Sequence, residues 1–354
     1  MKIHRGVLIY APGSLGDTLM ICPALEFIKK QQPRQKISLL YDLPMGRTKL
    51  TPKEILGDTS MVDGFVEYSV PQTKNWFSTS VAGLKLFCKL FLEYHTVFYL
   101  VECWRGERRA LRDKVFFALC GITCFKYFDR LLDRPKPDAI TVSRAVEALF
   151  RAGDDDALKI SSEQMSYRYI QNLAINTLVD APSNVCHRYV LSPFSNMPAK
   201  DWPTERYILL AKFLKEKFKV EPVIFGSHDD IDSANNMIKA IGFGKSLCGL
   251  LSFQETRNEI RKCSFYVGND SGLMHLSAAL ELPCFSIFSA RDFKGRWIPL
   301  GNLHTSLRTT NMECEGCRVS ICTSQYYNGC LRAISVTHCQ VELNQFIQKN
   351  RCEF

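Results

Sequence analysis

Four residues able to take part in chemistry, Asp270, Ser271, Gly272 and His275, stand close together between two apolar runs. The preceding "CSFYVG" is typical of a short buried strand, and the following "LMHLSAAL" has helical spacing and good helix formers. The polar residues are therefore expected on a strand-to-helix turn. In open α/β sheets such turns lie where ligands bind, and the next helix offers N–H groups to an anion. A phosphate-bearing ligand is the first hypothesis.

A second polar turn lies in "APGSLGDTLMICPAL", residues 11–25. Gly13 and Gly16 permit tight backbone geometry, and Asp17 falls at or beside the start of a helix. Asp17 either caps that helix or acts as a general base held at a ligand cleft. The turn lacks the third glycine of a dinucleotide-binding fingerprint, so a dinucleotide is weakly supported.

Two further loops follow predicted strands in the second half of the chain. The loop "LSPFSNMPAKDWPTERY" contains Ser195 and Lys200, and the lysine is either solvated or neutralises a phosphate. In "GSHDDID", Asp229 or Asp230 either caps a helix or accepts a hydrogen bond from a ribose hydroxyl. His275 is either a satisfied helix histidine or a donor to phosphate.

The length and composition indicate an ordinary globular protein. With 354 residues, 46% hydrophobic and 23% charged, the chain is long enough for two domains. The sequence contains no run of eighteen uncharged apolar residues, and its first residues do not resemble a signal peptide. We therefore expect a cytoplasmic protein.

The order of predicted elements favours two doubly wound α/β domains. Strands and helices alternate in the first half, polar residues follow over 150–186, and the alternation begins again after "VDAPSNVCHR". The predicted elements include strands over "VFYLVEC" (residues 97–103), "YVLSPF" (189–194) and "CFSIF" (284–288), and a helix over "TERYILLAKFLKEKF" (204–218). The expected domains span residues 1–180 and 187–354. Two such domains leave a cleft between facing strand ends, which is a favoured place for ligands.

An excess of basic residues points to an anionic partner. The formal net charge is +9, and a basic cluster, "WRGERRALRDK", occupies residues 104–114. Its arginines fall largely along one helical face, which is either solvated or binds an anionic acceptor: Arg105, Arg108, Arg109 and Arg112. No zinc-finger, KH or RRM signature accompanies the cluster, so nucleic acid is disfavoured.

Most of the fifteen cysteines are scattered singly in apolar runs, which is typical of buried free thiols: Cys22, Cys88, Cys120, Cys124, Cys263 and Cys284. A denser group has spacings of two, four and seven residues: Cys314, Cys317, Cys322 and Cys330. The leading pair could start a metal site, but the later spacing matches no common zinc module. A thiol-rich loop is the favoured interpretation, and no metal or cofactor is expected.

Taken together, these motifs resemble glycosyltransferase family 9, the lipopolysaccharide heptosyltransferases. The similarity extends from residue 6 to about 345. It rests on "GSLGDTLMICPAL", on "KDWPTERYILLAKFL" and most specifically on "VGNDSGLMHLSAALELPCFSIFSA" with "RWIPLG" after it. The cysteine-rich segment ending in "CLRAISV" is also similar to that of many members.

The resemblance implies a GT-B fold, with an acceptor domain, then a donor domain, and the reaction in the cleft. It implies that Asp17 is the catalytic base, with Ser14 and Gly16 shaping its turn. The remaining residues would bind the nucleotide-sugar donor: Ser195, with Lys200 at the phosphates, Asp230 near the ribose, Leu251 at the base, and Asp270, Ser271, Gly272 and His275 around the sugar-diphosphate. On the acceptor side we expect Arg105 and Arg108 to contribute.

The function implied is transfer of a heptose, with inversion and without a metal, from ADP-heptose to the inner core of lipopolysaccharide. The acceptor would be an anionic, lipid-linked saccharide, and peripheral contact with the cytoplasmic face of the inner membrane is a further expectation. Two alternatives stay open: a family 9 transferase with another donor or acceptor, and a catalytically silent binding protein of the same architecture.

Overall fold

The computed structural model describes residues 5–43, 50–69, 76–102, 106–126, 144–154, 187–323, 327–350 and 352. The chain divides into two compact units, Met1–Ser161 and Ser162–Phe354. The predicted linker between residues 180 and 187 lies outside the described residues, so the predicted domain boundaries stay a prediction.

The first unit is a parallel sheet with helices between its strands. Its five strands are ordered β3-β2-β1-β4-β5. The elements, in chain order, are β1 (Gly6–Tyr10), α1 (Leu15–Gln31), β2 (Ile37–Leu43), α2 (Pro52–Leu56), β3 (Gly64–Ser69), α3 (Trp76–Leu90), β4 (Tyr94–Tyr99), α4 (Glu107–Leu119), β5 (Cys124–Lys126) and α5 (Arg144–Ala152).

The central strand β1 is apolar enough to be covered by helices on both faces of the sheet. Every residue of "GVLIY" is buried, as expected for a parallel strand covered on both faces. Leu90 of α3 and Ala110 and Phe117 of α4 pack into one core cluster with Leu8 and Val97 of the sheet. The other face of the sheet is left for α1, which packs against α5.

The second unit repeats the plan with six parallel strands, ordered β11-β10-β9-β6-β7-β8. Its elements are β6 (Arg188–Ser192), α6 (Thr204–Phe218), β7 (Glu221–Ile224), α7 (Ile231–Ile241), β8 (Lys245–Ser246), α8 (Phe253–Arg261), β9 (Tyr266–Asn269), α9 (Gly272–Ala279), β10 (Cys284–Phe288), β11 (Thr305–Arg308), α10 (Gly329–Arg332) and α11 (Val336–Lys349). Short 3₁₀ helices cover Pro198–Lys200 and His228–Asp230.

The strand order creates a topological switch point in each sheet. In the first unit the chain order reverses between β1 and β4, and in the second unit it reverses between β6 and β9. Ligands of open α/β sheets bind outside the carboxyl ends of the strands at such points. The turns after β1, β6 and β9 are therefore the places where a site is expected.

Two strand predictions need correction. The strand predicted over residues 97–103 is β4, Tyr94–Tyr99, and the one predicted over "YVLSPF" ends at Ser192. The apolar runs continue past these strands because the residues after them stay buried beneath the loops, as Val101 and Pro193 do. Among the described residues, no helix is both long enough and apolar enough to cross a membrane.

Candidate functional site

The turn after β1 holds Asp17 by a capping box. Ser14 is the N-cap of α1, and its N–H and hydroxyl both donate to Asp17 Oδ2, at 2.9 and 3.1 Å. Gly13 has φ +147°, and a Cβ there would lie 2.4 Å from the Asp17 Cβ. Only glycine therefore lets the turn close over Asp17.

Asp42 is a further member of this turn that the motif analysis missed. It lies near the end of β2, and its Oδ1 accepts a hydrogen bond from the Gly13 N–H at 3.0 Å. Its position at the carboxyl end of β2, the strand next to β1, could have indicated from the sequence that it lies near the Asp17 turn. Within the described part of the chain, Asp17 Oδ1 has no hydrogen-bond partner, so this oxygen is available to accept a proton.

The switch point of the second unit brings Lys200 and Asp270 together. Lys200 Nζ lies 2.7 Å from Asp270 Oδ2, and the two side chains are 14% and 7% exposed. Lys200 ends the 3₁₀ helix after β6, and Asp270 directly follows β9, so the two loops meet because β6 and β9 are neighbours. The predicted phosphate-binding lysine is thus held in place by the predicted sugar-binding acid.

Asn269, which sequence reasoning did not single out, ties these loops together. Its buried amide oxygen accepts from Trp202 N–H at 3.1 Å and from the Tyr207 hydroxyl at 2.7 Å. Its amide nitrogen donates to Pro193 O at 2.7 Å and to Asp201 Oδ1 at 3.3 Å. A side chain with all these bonds made is fully satisfied and rigid. Asn269 therefore fixes the loop that leads out of β6.

Asp201 is a second acid that the motif analysis missed, and it lies beside the predicted donor residues. Burial raises its pKa to about 6, a hydrogen bond from Ser195 opposes the rise, and the charge of Asp230 adds to it. Ser195 also braces its own turn by donating to Met197 O at 2.8 Å. The two predicted donor residues, Ser195 and Asp230, are thereby placed close to Asp201.

The Asp230 carboxylate forms a capping box with Ser227 at the start of a 3₁₀ helix, which agrees with the predicted alternative that this residue caps a helix. Its Oδ2 accepts from Ser227 N–H and from the Ser227 hydroxyl, at 2.7 and 2.6 Å. Leu251, the predicted base contact, is half-buried just before α8. Its loop packs on the same segment, since a Cβ on Gly249 would lie 2.8 Å from the His228 Cα. Asp230 and Leu251 therefore lie on adjoining loops.

Ser271 and Gly272 begin α9 at the expected turn. Ser271 is the N-cap, and its hydroxyl lies 3.3 Å from the Tyr266 hydroxyl and 3.4 Å from the Ser192 hydroxyl. His275 is buried, and its ring centroid lies 6.1 Å from that of Trp297. Trp297 in turn lies beneath Lys200 Nζ, 6.0 Å from the ring centroid.

A cavity of about 400 Å³ opens beside this ion pair. Asp270 and Trp297 line it, together with three cationic residues from the segment after β10: Arg291, Lys294 and Arg308. Arg308 is held by Asp292 O at 2.6 Å and by Glu315 at 2.7 Å. Arg291 pairs with Asp292 and Arg308 with Glu315, so Lys294 and the start of α9 are the groups at this edge of the sheet that suit an anionic ligand.

The four grouped cysteines line a separate cavity of about 420 Å³ together with Ala199. All four are free thiols, and burial raises the pKa of Cys330. Within the part of the chain described, no three His, Cys, Asp or Glu side chains are arranged to hold a metal ion. This segment also braces the lysine loop, since Ala199 N–H donates to Ser320 O at 3.0 Å.

The interpretation of the scattered cysteines needs correction at two positions. Cys22, Cys120, Cys263 and Cys284 are buried, but Cys88 is exposed and Cys124 is half-buried. Cys88 lies on the outer side of α3, and Cys124 lies on the edge strand β5, where less of each side chain is covered.

The basic helix is α4, and its predicted arginines are partly paired. Arg108, Arg109 and Arg112 are exposed, and Arg112 forms a 3.0 Å ion pair with Asp113. Asp113 also accepts a hydrogen bond from the Tyr99 hydroxyl at 2.8 Å. Arg105 lies outside the described residues. Neither the solvated nor the acceptor-binding interpretation is decided by these contacts.

Two open parallel sheets, each with polar turns at its switch point, define a protein with two doubly wound α/β domains, and comparison with known proteins identifies the family. The model of "Glycosyltransferase family 9 (heptosyltransferase)" matches residues 123–328, more than half of the chain. The chain belongs to glycosyltransferase family 9. The resemblance noted in the sequence is thereby confirmed.

Individual relatives agree with this assignment. The chain is 36% identical over 104 residues to lipopolysaccharide heptosyltransferase 2 of Salmonella typhimurium, a match that covers 27% of this chain and 29% of that protein. The structure of Escherichia coli ADP-heptose lps heptosyltransferase II is similar at 18% identity and a TM-score of 0.64, over 98% of this chain and 99% of that one. The E. coli heptosyltransferase WaaC with ADP gives 17% identity and a TM-score of 0.66, over 97% and 99%. At these identities the structural likeness establishes a shared fold.

Proposed function

We propose that this protein transfers a heptose from ADP-heptose to the inner core of lipopolysaccharide. The observation that carries the proposal is the Lys200–Asp270 ion pair, 2.7 Å long, at the switch point of the second sheet. A nearly buried lysine whose partner, Asp270, lies just before the first residue of α9 is suited to the diphosphate of a nucleotide sugar. The first unit would bind the acceptor and the second unit the donor.

In the proposed reaction Asp17 is the general base. Its Oδ1 takes the proton from an acceptor hydroxyl, and the hydroxyl oxygen attacks the anomeric carbon of the donor heptose. The bond from that carbon to the diphosphate breaks, and ADP leaves with the electron pair. A single displacement of this kind inverts the anomeric centre.

The leaving diphosphate needs its negative charge neutralised. Lys200 and the N–H groups at the start of α9 would supply this, with His275 as a further donor. Ser271 and Gly272 would shape the turn around the phosphates. Asp270 keeps Lys200 oriented, because its carboxylate is the lysine's partner before the ligand arrives. With these groups the chemistry needs no metal ion.

The acceptor proposed is an anionic, lipid-linked saccharide. Ser14 and Gly16 would border it at the Asp17 turn, and Arg105 and Arg108 would bind its phosphates or acidic sugars. An acceptor of this kind lies in a membrane, so we place the protein in the cytoplasm with peripheral contact to the inner membrane.

A donor panel tests the choice of nucleotide sugar. Purified protein is incubated with ADP-heptose, ADP-glucose, UDP-glucose or GDP-mannose, and its thermal unfolding is followed. A ligand at 100 times its Kd stabilises the native state by about 2.7 kcal/mol, so ADP-heptose should raise the Tm most. The variant Lys200→Met should lose most of this shift, whereas Lys212→Met, an exposed lysine on α6, should keep it. A larger shift with another sugar would replace ADP-heptose in the proposal.

A further inference from the structure

Among the described residues of the first unit, the exposed large apolar side chains lie on two helices and on the turn between α3 and β4. Thirteen such side chains are exposed among the described residues, and seven of them belong to the first unit. These seven lie on α3, on the turn that follows it and on α4: Val81, Leu84, Phe91, Leu92, Leu111, Val115 and Leu119. The six in the second unit are spread over several elements. An exposed apolar group of this kind, bordered by polar residues, marks an interaction surface.

On α4 the exposed residues form a stripe. Leu111, Val115 and Leu119 are 63%, 52% and 66% exposed and follow one another at intervals of four residues. At about 100° and 1.5 Å per residue they fall within about 80° of the helix circumference and span about 12 Å. The opposite side of the helix is the one in the core, through Ala110 and Phe117. The helix is therefore apolar on both sides. Packing against the core explains the apolar residues on the buried side but not those on the exposed side.

The turn after α3 extends this stripe. The Leu92 N–H donates to Cys120 O at 3.0 Å, which joins the turn to the end of α4. The Leu92 side chain lies over Gly121, where an added Cβ would approach it to 3.0 Å. Leu92 also has φ +59°, a left-handed conformation that a leucine adopts rarely and at a cost. The chain thus presents Phe91 and Leu92 outward beside the α4 stripe.

Basic residues border the same surface. Residues 80–93 and 107–119 contain five exposed cationic side chains but only two exposed acidic ones, Glu93 and Glu107. The cations are Lys85, Lys89, Arg108, Arg109 and Arg112. By helical spacing Arg108 lies on the side of the leucine stripe, and Arg112 flanks it. Apolar side chains with a basic border are the pattern of a surface that inserts into the headgroup region of an anionic bilayer.

We propose that this α3–α4 surface, defined by the seven apolar side chains and their basic border, docks on an anionic lipid bilayer. The choice of a bilayer rests on the proposed function, because a lipid-linked acceptor must be reached at a membrane surface. A second copy of the chain fits less well. A two-fold contact through this surface would oppose two copies of the same net-positive surface, since its exposed cations outnumber its exposed acids by five to two.

Flotation with lipid vesicles tests the surface without donor or acceptor. The full chain is mixed with vesicles of phosphatidylethanolamine and phosphatidylglycerol, or of phosphatidylcholine alone, and the bound fraction is measured. Wild-type protein should bind the anionic vesicles, and added salt should weaken that binding. The double variant Leu111→Ser/Leu119→Ser should bind at least about tenfold more weakly, because two apolar side chains no longer insert. The double variant Arg108→Gln/Arg112→Gln should bind anionic vesicles severalfold more weakly.

Matched controls lie in the second unit. Leu209→Ser and Val341→Ser remove apolar side chains that are also more than half exposed, at 52% and 51%, and should leave vesicle binding unchanged. Circular dichroism of each variant checks that the fold is kept. Unchanged vesicle binding in the leucine variant would overturn the proposal, and so would equal wild-type binding to neutral vesicles. If the leucine variant instead abolishes self-association in sedimentation while it still binds vesicles, the surface is a contact between copies. Loss of sugar transfer with vesicle binding intact would count against the proposed function alone.

Discussion

Removing either partner of the Lys200–Asp270 ion pair should destabilise the second unit, because the remaining charge is then nearly buried without its partner. Exposed pairs contribute at most about 1 kcal/mol, whereas removing one partner of a buried pair costs about 3–5 kcal/mol. This pair is 2.7 Å long and its side chains are 14% and 7% exposed, so it lies nearer the buried limit. We expect Lys200→Met and Asp270→Asn each to lower the free energy of unfolding by about 2–3 kcal/mol.

A double-mutant cycle measures the coupling directly. Urea unfolding of the wild type, both single variants and the double variant should give a coupling energy of about 2 kcal/mol. The same proteins are then titrated with ADP and with ADP-heptose by calorimetry. Loss of a charge-assisted bond of about 1.5–3 kcal/mol weakens binding roughly 10- to 150-fold, which we expect for Lys200→Met with both ligands.

Asp270→Asn distinguishes two roles for the acid. If Asp270 acts by orienting Lys200, the variant weakens ADP and ADP-heptose by the same factor. A coupling energy below about 0.5 kcal/mol would refute the ion-pair argument. A tenfold larger effect on ADP-heptose than on ADP would show that Asp270 contacts the sugar instead. Lys212→Met serves as the control, since this lysine of α6 is exposed.

Three further predictions follow from the geometry. Asp17→Asn should lower kcat by about two to four powers of ten. ADP binding should stay unchanged in calorimetry, because the asparagine oxygen can still accept hydrogen bonds from the capping serine. Near-normal turnover would leave Asp17 with only the capping role. Asn269→Ala should lower the free energy of unfolding by about 2–4 kcal/mol in urea, since it strands several buried groups, whereas the exposed Asn235→Ala should change it little; equal effects would contradict the bracing role. Burial raises the pKa of Asp201 to about 6, so the folded state holds this proton more tightly than the unfolded state. As pH rises from about 4 to 6, the free energy of unfolding should therefore fall by about 1–2 kcal/mol, a figure that allows for solvent screening. Asp201→Asn should flatten that slope, and an unchanged slope would assign the titration elsewhere.

The elements that position the site follow from sequence pattern because they are long or fully apolar. The helix predicted over residues 204–218 is α6 to the residue, and "CFSIF" is β10. The edge strands were missed for a physical reason. β8 has two residues and β5 three, with partly exposed side chains, so neither shows the apolar run of a central strand.

The site residues also divide into those whose position follows from local sequence pattern and those that are recognised only by their partners in the fold. Lys200 and Asp270 lie on turns whose position follows from local pattern, but their 2.7 Å contact depends on β6 and β9 being neighbours, which is a property of the sheet order. Asn269 was missed because an asparagine at a strand end is indistinguishable from a turn residue until its partners from α6 and the β6 loop are known. Asp42 was missed for the same reason.

The central claim is that Asp17 and Lys200 serve one heptosyl transfer, and a single-turnover assay tests it most directly. Purified protein in excess is mixed with ADP-heptose and a heptose-deficient inner-core acceptor, and the acceptor mass and released ADP are followed together. The account predicts one heptose gained by the acceptor for each ADP released, with rates at least a hundredfold lower in Asp17→Asn and in Lys200→Met. An acceptor whose mass stays unchanged while another nucleotide sugar is consumed, or equal rates in wild type and Asp17→Asn, would contradict it.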